Sequence, residues 1–228
     1  MFRYPSTATE RFDNAKVWIN YVVTIIKSYF GKNVLEVGAG CGSFTSNYLS
    51  FINNLTLTEA DNKNSKDLKK KFYNYKNIKI IKSDNVKKIK GSFDTVIYFN
   101  VLEHIKNDNT EIANAAKKLK KNGYLIFLVP AHQSLYGNLD KIAGHHKRYD
   151  MNFFNKKRAN LKIIINKYLD SVGYFLYFFN RIFFKKETYP SKFKIFLWDK
   201  IFVPITVIVD FFIFYKFGKN ILCIYKKI

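Results

Sequence analysis

The chain has 228 residues, 48% of them hydrophobic and 18% aromatic, enough apolar surface to close a core and to exclude a globally disordered protein. Its formal charge of +22 comes from 39 lysines and arginines set against 17 acids. The basic residues run along the whole chain in company with Asn, Ile, Phe and Tyr, as an AT-rich coding bias produces, so an anionic partner is the secondary reading. The two cysteines, Cys41 and Cys223, belong to no Cys-x-x-Cys pair, which excludes a disulfide scaffold and a zinc module and suits a reducing cytoplasm.

The opening MFRYPSTATERFDNAK lacks a basic region followed by an apolar one, so no secretory leader is expected. Between Asp13 and Phe30, apolar residues at Val17, Trp18, Tyr21, Val22, Ile25, Ile26 and Tyr29 keep a helical period and predict a helix with one buried face. Alternating units follow: a strand over Val34–Val37, a helix over Ser43–Ser50, a strand over Leu55–Glu59 and a helix over Ser65–Tyr73. Next come strands over Ile78–Ile81 and Phe93–Phe99, then a helix around Asn109–Lys120 that Asn122-Gly123 is expected to end. Tyr124–Val129 is a near-continuous apolar strand closed by Pro130. Strands separated by helices, apolar enough for burial on both faces, predict a parallel α/β sheet.

After Pro130 the alternation stops. Ala131–Asp150 is polar and holds Gly137, Gly144 and three of the four histidines, His132, His145 and His146; an irregular stretch of that length is expected to be a lid or substrate loop. Ile163–Ile165 reads as a strand, Tyr174–Phe184 and Phe193–Phe217 are dense in Phe and Tyr, and Ile221–Tyr225 reads as a final strand. Pro204 and Asp210 interrupt the apolar run Ile201–Tyr215, short of the roughly 18 apolar residues a membrane span needs. The aromatic segment is therefore read as a helix packed on the sheet, or as a lysine-flanked surface resting on a membrane.

Chemistry concentrates at the strand tips. Asn33-Val34-Leu35-Glu36-Val37-Gly38-Ala39-Gly40-Cys41-Gly42 reads as a buried strand entering a glycine turn, where the backbone can come close to a ligand and the next helix aims its N–H groups at it. A dinucleotide fingerprint wants G-x-G-x-x-G, and here the third glycine is misplaced, with Ser43 after Gly42. Glu36 sits badly beside a pyrophosphate and well beside the ammonium of an amino-acid moiety. S-adenosylmethionine offers that ammonium and no phosphate, so it is the expected cofactor, with Glu36, Gly38, Ala39, Gly40 and Gly42 around it. At the second tip Glu59 is placed to accept both ribose hydroxyls, with Asp61 as a substitute. At the third, Asp84 and Asn85 are placed to reach the adenine amino group, and Asn100 stands at the fourth.

VLEVGAGCG and FDTVIYFNVLEHI resemble the glycine motif and a later strand motif of class I S-adenosylmethionine-dependent methyltransferases, the second in their ubiquinone-biosynthesis-like branch. Val129-Pro130-Ala131, Leu135-Tyr136-Gly137, Asp140, Gly144-His145 and Lys147-Arg148-Tyr149 resemble a bacterial group of these enzymes often associated with glycosyltransferases. His146 and Lys147 stand where that group usually has Tyr and Arg. Phe179-Asn180, Asp199, Pro204, Asp210 and Phe217-Gly218 extend the resemblance through the aromatic tail. It implies an α/β, Rossmann-like methyltransferase fold, with a mostly parallel seven-stranded sheet, helices on both faces and an aromatic C-terminal cap. A single domain is expected: an N-terminal helical segment over 1–30, a cofactor-binding core over 31–130, and an acceptor loop, cap and final strands over 131–228.

A sulfonium methyl is a ready electrophile, so the protein has mainly to align a nucleophile and exclude water; a hydroxyl acceptor gains further from a general base. His104 and His145 are the catalytic candidates. Tyr136, His146, Arg148 and Tyr149 are the acceptor-binding ones, the last two for a phosphate or sugar hydroxyl; no metal is called for. Asn100-Val101-Leu102-Glu103 lacks the proline-aromatic clamp of base methylation, and neither cysteine follows a proline, which sets nucleic-acid acceptors aside. The expected reaction is methyl transfer to an oxygen or nitrogen of a small-molecule or glycan-type acceptor. Surface polysaccharide biosynthesis is its expected setting, in the cytoplasm or peripherally at the inner face of the membrane. A quinone or lipid acceptor is the alternative enzyme, and a cofactor-binding or membrane-associated scaffold without turnover is the alternative outside catalysis.

Overall fold

The computed structural model describes residues 14–183 and 190–228. Asp13 and Phe184, at the edges of two predicted segments, lie outside the described residues. Helix α1 (Lys16–Ile26) buries Trp18, Ile19, Val22, Val23 and Ile26; of the expected face Trp18, Val22 and Ile26 are buried, while Val17, Tyr21, Ile25 and Tyr29 are partly buried beside the same core. Then come β1 (Asn33–Val37), α2 (Thr45–Tyr48), β2 (Asn54–Glu59), α3 (Asn62–Lys71), β3 (Ile78–Lys82), β4 (Phe93–Phe99), α4 (Asp108–Lys118) and β5 (Leu119–Pro130). The second half holds α5 (Asn138–Ala143), α6 (Met151–Asn155), β6 (Leu161–Leu169), α7 (Ser171–Phe183), α8 (Lys192–Leu197), a π-turn over Trp198–Phe202, α9 (Val203–Phe212) and β7 (Asn220–Lys227).

The seven strands form one sheet in the order β3-β2-β1-β4-β5-β7-β6. All neighbours from β3 to β5 run parallel, and β7 is antiparallel to both β5 and β6. Successive residues alternate between two apolar layers. Val96 and Tyr98 of β4, Leu125 and Phe127 of β5, and Ile221 and Cys223 of β7 face one. Ile97, Phe99, Ile126, Leu128, Leu222 and Ile224 face the other, with α1. That period of two, apolar on both sides, is why these strands read as continuous hydrophobic runs.

Several boundaries differ from expectation; β6 spans Leu161–Leu169 rather than Ile163–Ile165, and α7 starts at Ser171 rather than Tyr174. Helix α4 stops at Lys118, and Asn122-Gly123 lies inside β5, where Asn122 takes φ 64° beside a register shift against β4. A Cβ on Gly123 would come within 2.8 Å of the Asp94 carbonyl, so this glycine serves strand contact rather than a helix cap. Helix α3 begins at Asn62 instead of Ser65 because Asp61 accepts the Asn64 N–H at 2.9 Å. Helix α2 is a single turn that tightens into a 3₁₀ turn over Leu49–Phe51.

The C-terminal helices are tied to α1 by buried aspartates. Asp210 of α9 accepts the Tyr21 hydroxyl (2.9 Å) and the N–H groups of Asp170 (2.9 Å) and Ser171 (3.0 Å). Asp199 accepts the N–H of Trp18 in the first turn of α1 at 2.9 Å, satisfying an otherwise open helix-terminal donor. No helix among the described residues is long and apolar enough to cross a membrane. Asp210, the charge that broke the apolar run in the sequence, is a structural acceptor. Replacing it by Ala strands three donors, each buried or half-buried, and is expected to cost on the order of 3 kcal/mol. Thermal unfolding should fall by roughly 6–12 °C, with Asp210→Asn intermediate; an unchanged midpoint in Asp210→Ala would show that the network carries no stability.

Candidate active site

The registers place the strand tips side by side. Val37 of β1 pairs with Thr58 of β2 and Tyr98 of β4, and Glu59 of β2 pairs with Lys82 of β3. Beyond these tips, at the point where the strand order reverses, lies the crevice in which open α/β sheets bind ligands. Here it is a cavity of about 1750 Å³ that runs from the glycine turn to the Pro130–Tyr149 loop and the C-terminal helices. Glu36, Gly38, Ala39, Gly40, Glu59, Asp84, Asn100, His104, Tyr136, His145, His146 and Arg148 line it.

The turn is held by its own acids. Glu59 accepts the Gly40 N–H with Oε2 and the Asp61 N–H with Oε1, both at 2.8 Å. Burial pushes its carboxyl above the ordinary range, opposed by those amides. Glu36 is 2% exposed; its Oε2 accepts the Thr45 hydroxyl at 2.6 Å and the Tyr48 hydroxyl. Burial raises the Glu36 pKa to about 7 against those two hydrogen bonds. Gly40 has φ +57°, and a Cβ there would meet nothing within 4 Å, so the backbone faces open space of the kind a ligand fills. Buried carboxylates on either side of an open glycine backbone suit an adenosyl ligand bearing an ammonium and two ribose hydroxyls.

Four sequence assignments are corrected. Gly42 is not in the cavity wall: a Cβ there would strike Phe72 at 2.8 Å and Leu68 at 3.0 Å, so it is a glycine for packing under α3. Asn85 caps a 3₁₀ turn through the Lys87 N–H at 2.8 Å, and its neighbour Asp84 is the one at the cavity. Tyr149 is 2% exposed, and its hydroxyl bonds the Leu102 carbonyl (2.9 Å) and Asp108 (3.2 Å). It braces the Leu102–His104 turn from behind and does not line the cavity. Asp61, the substitute for Glu59, is used up as the cap of α3.

The other end of the cavity is organised by a residue that the sequence showed only as part of a motif. Asp140 takes the His145 Nδ1–H at 2.7 Å, the Arg148 Nε–H at 2.9 and 3.0 Å, and the Gly137 N–H at 2.9 Å. Burial pushes its carboxyl up, but His145 and Arg148 outweigh it and hold the pKa below the ordinary value. The Arg148 guanidinium also lies 4.6 Å from the Tyr177 ring of α7. Tyr136 donates its hydroxyl to the His145 carbonyl at 2.8 Å. His104 packs edge-on against His145, with ring centres 4.6 Å apart. Burial, with His145 beside it, drops the His104 pKa to about 3, which makes it a feeble proton acceptor at neutral pH. Glu103 was not singled out in the sequence; burial raises it to about 7, and it lies with His104 and His145 in one cluster of ligand-type groups.

Residues 14–169 match a family model described as a methyltransferase domain. The chain belongs to that family. It is a class I S-adenosylmethionine-dependent methyltransferase, and its sheet is the seven-stranded mixed sheet of that fold. Among solved structures, the N-methyltransferase NodS from Bradyrhizobium japonicum WM9, in complex with S-adenosyl-L-homocysteine, superposes with a TM-score of 0.59 at 13% identity, covering 98% of this chain and 88% of that one. The chain bound to the Haloferax volcanii Trm112 methyltransferase activator gives 0.66 at 9% identity, covering 100% and 99%. A curated relative, the hybrid PKS-NRPS synthetase iliA of Neonectria sp. (strain DH2), is 30% identical over 107 residues, 42% of this chain. The match spans about 3% of that synthetase.

The elevated Glu36 pKa has a stability consequence with a definite sign. Its folded value near 7 lies above the ordinary 4.5, so the folded state prefers the proton and loses stability as pH rises between those values. Glu36→Gln removes that titration. The stability difference in the unliganded methyltransferase should move toward the variant by roughly 1.4 kcal/mol per pH unit across the window. Unfolding midpoints at pH 5 and pH 8 test this, and a pH-independent difference would refute it.

Proposed function

We propose that the methyltransferase acts on an oxygen or nitrogen of a small-molecule or glycan-type acceptor seated between the glycine turn and the His104–His145 wall. The observation that carries this reading is the continuous cavity joining Glu36, Gly38, Ala39, Gly40 and Glu59 to His104, His145 and Arg148. At one end Glu36 takes the ammonium of S-adenosylmethionine. Glu59, whose oxygens each keep a second lone pair, takes the ribose hydroxyls, and Asp84 takes the adenine amino group, with Asn100 beside them. S-adenosylmethionine supplies an electrophilic methyl group on sulfonium. His145, with Nδ1–H committed to Asp140, offers Nε2 to the acceptor's O–H or N–H. His104, neutral and packed against His145, orients it; His146 and Arg148 hold the acceptor at the rim. The glycan-type acceptor and a place in surface polysaccharide biosynthesis rest on the motif resemblance after Pro130.

A lipid or quinone acceptor is the second reading, favoured by the cap. Phe193, Phe196, Ile208, Phe211, Phe212 and Phe214 are exposed, with Lys192, Lys194 and Lys216 near them in the chain, while Ile195 and Trp198 of the same cap line the cavity. Aromatic and basic residues together suit an anionic bilayer surface. Sedimentation with anionic liposomes should be lost in Phe211→Ser/Phe212→Ser; equal sedimentation of both proteins would remove this reading.

Calorimetry with S-adenosylmethionine tests the cofactor assignments. Glu59→Ala should weaken binding on the order of 10²-fold, since hydrogen bonds to a charged group contribute about 1.5–3 kcal/mol each. Glu59→Gln, which still accepts from Gly40, should lose less. Unchanged affinity in Glu59→Ala would sink the ribose assignment, and absence of binding to wild type would sink the cofactor geometry altogether.

A further inference from the structure

A buried carboxylate with no donor is rare and calls for a cause. Glu103 is 1% exposed, and neither Oε1 nor Oε2 has a hydrogen-bond partner among the described residues. The Nε2 atom of His145 lies 4.0 Å from Oε1, too far for a hydrogen bond. One ligand-type atom each from Glu103, His104 and His145 falls within 4.8 Å of the others.

Both imidazoles are held in a defined tautomer from outside the cluster. The Gly144 carbonyl, 3.2 Å from Nδ1 of His104, can only accept, so Nδ1 carries the proton and Nε2 the lone pair. Asp140 takes the Nδ1–H of His145 at 2.7 Å, which leaves Nε2 as the basic nitrogen there too. Asp140 is fixed in turn by Arg148 and by the Gly137 N–H. A carboxylate or carbonyl behind each histidine is how metal-binding imidazoles are oriented.

We propose that Glu103, His104 and His145 bind one divalent transition-metal ion through a carboxylate oxygen and two Nε2 atoms, with its remaining position open to the acceptor end of the cavity. Two imidazoles and one carboxylate form a donor set suited to Zn²⁺ with an exchangeable position, whereas Mg²⁺ and Ca²⁺ prefer oxygen alone. The ion's charge would answer the buried carboxylate, which among the described residues has no hydrogen-bonded cation. Its bearing on methyl transfer rests on the acceptor reading above: the ion would hold an oxygen of the acceptor, and His145 Nε2 would then be a ligand in place of the proton acceptor named there.

Chelator-stripped wild-type protein titrated with Co²⁺ should show a saturable visible d–d spectrum at one equivalent, reversed by Zn²⁺. Zn²⁺ calorimetry should give the same stoichiometry, with affinity falling at least roughly 100-fold in Glu103→Gln and His145→Ala. Asp140→Asn should lose about 10–100-fold, the usual effect of removing an outer-shell partner. S-adenosyl-L-homocysteine binding, measured on every sample, reports that the variants are folded. No saturable Co²⁺ spectrum in wild type, or Zn²⁺ binding unchanged in Glu103→Gln and His145→Ala, overturns the metal site. Intact S-adenosyl-L-homocysteine binding in that case leaves the cofactor assignments standing, whereas its loss in wild type overturns those assignments whatever the metal does.

Discussion

Strand β1 lies between β2 and β4 in registers that set Val37 level with Thr58 and with Tyr98, and the site is built on that alignment. Each parallel strand ends at the same edge of the sheet, so a residue just past each tip opens into one crevice. The glycine turn after β1 is then kept in place by the strand beside it. Gly38 donates to the Thr58 hydroxyl at 3.3 Å, and Gly40 donates to Glu59 at 2.8 Å. A shift of one residue would invert the buried faces of β1 and detach the turn from both partners. The glycine turn is therefore tied directly to the sheet.

The far end of the cavity has no such scaffold, and a carboxylate replaces it. Asp140, in α5, gathers the Gly137 amide, the His145 imidazole and the Arg148 guanidinium, folding the segment after β5 around one buried charge. Tyr149, further along that loop, reaches through to the Leu102 carbonyl. The His146 amide donates to the Glu103 carbonyl at 2.8 Å. The loop and the turn after β4 are thus one unit, and the histidines of both meet because each backbone bonds to the other.

The third wall comes from the C-terminal helices, tied to α1 and to the end of β6 through Asp199, Asp210 and Asp170. Asp170 takes φ 65° and accepts the Gly173 N–H at 3.0 Å. A Cβ on Gly173 would sit 2.0 Å from that carboxylate, so only glycine admits the cap. Aspartates inside an aromatic segment thus act as fasteners, and the phenylalanines divide between core, cavity wall and exposed surface.

Much of this architecture is legible in the chain alone. Apolar runs marked every strand of the sheet, and a helical period marked α1, because burial on one face or both is a local constraint that each segment has to meet by itself. Glycine spacing and the acids at Glu36 and Glu59 pointed to an adenosyl cofactor for the same reason: a tight turn and a strand tip are short-range features. Tertiary structure alone decided which glycines line the cavity, sending Gly42 under Phe72 and leaving Gly40 open. It also turned Tyr149 inward and brought Glu103 beside His145. Those outcomes depend on contacts between residues dozens of positions apart, where hydrogen-bond partners and free volume are set by packing and no local pattern records them.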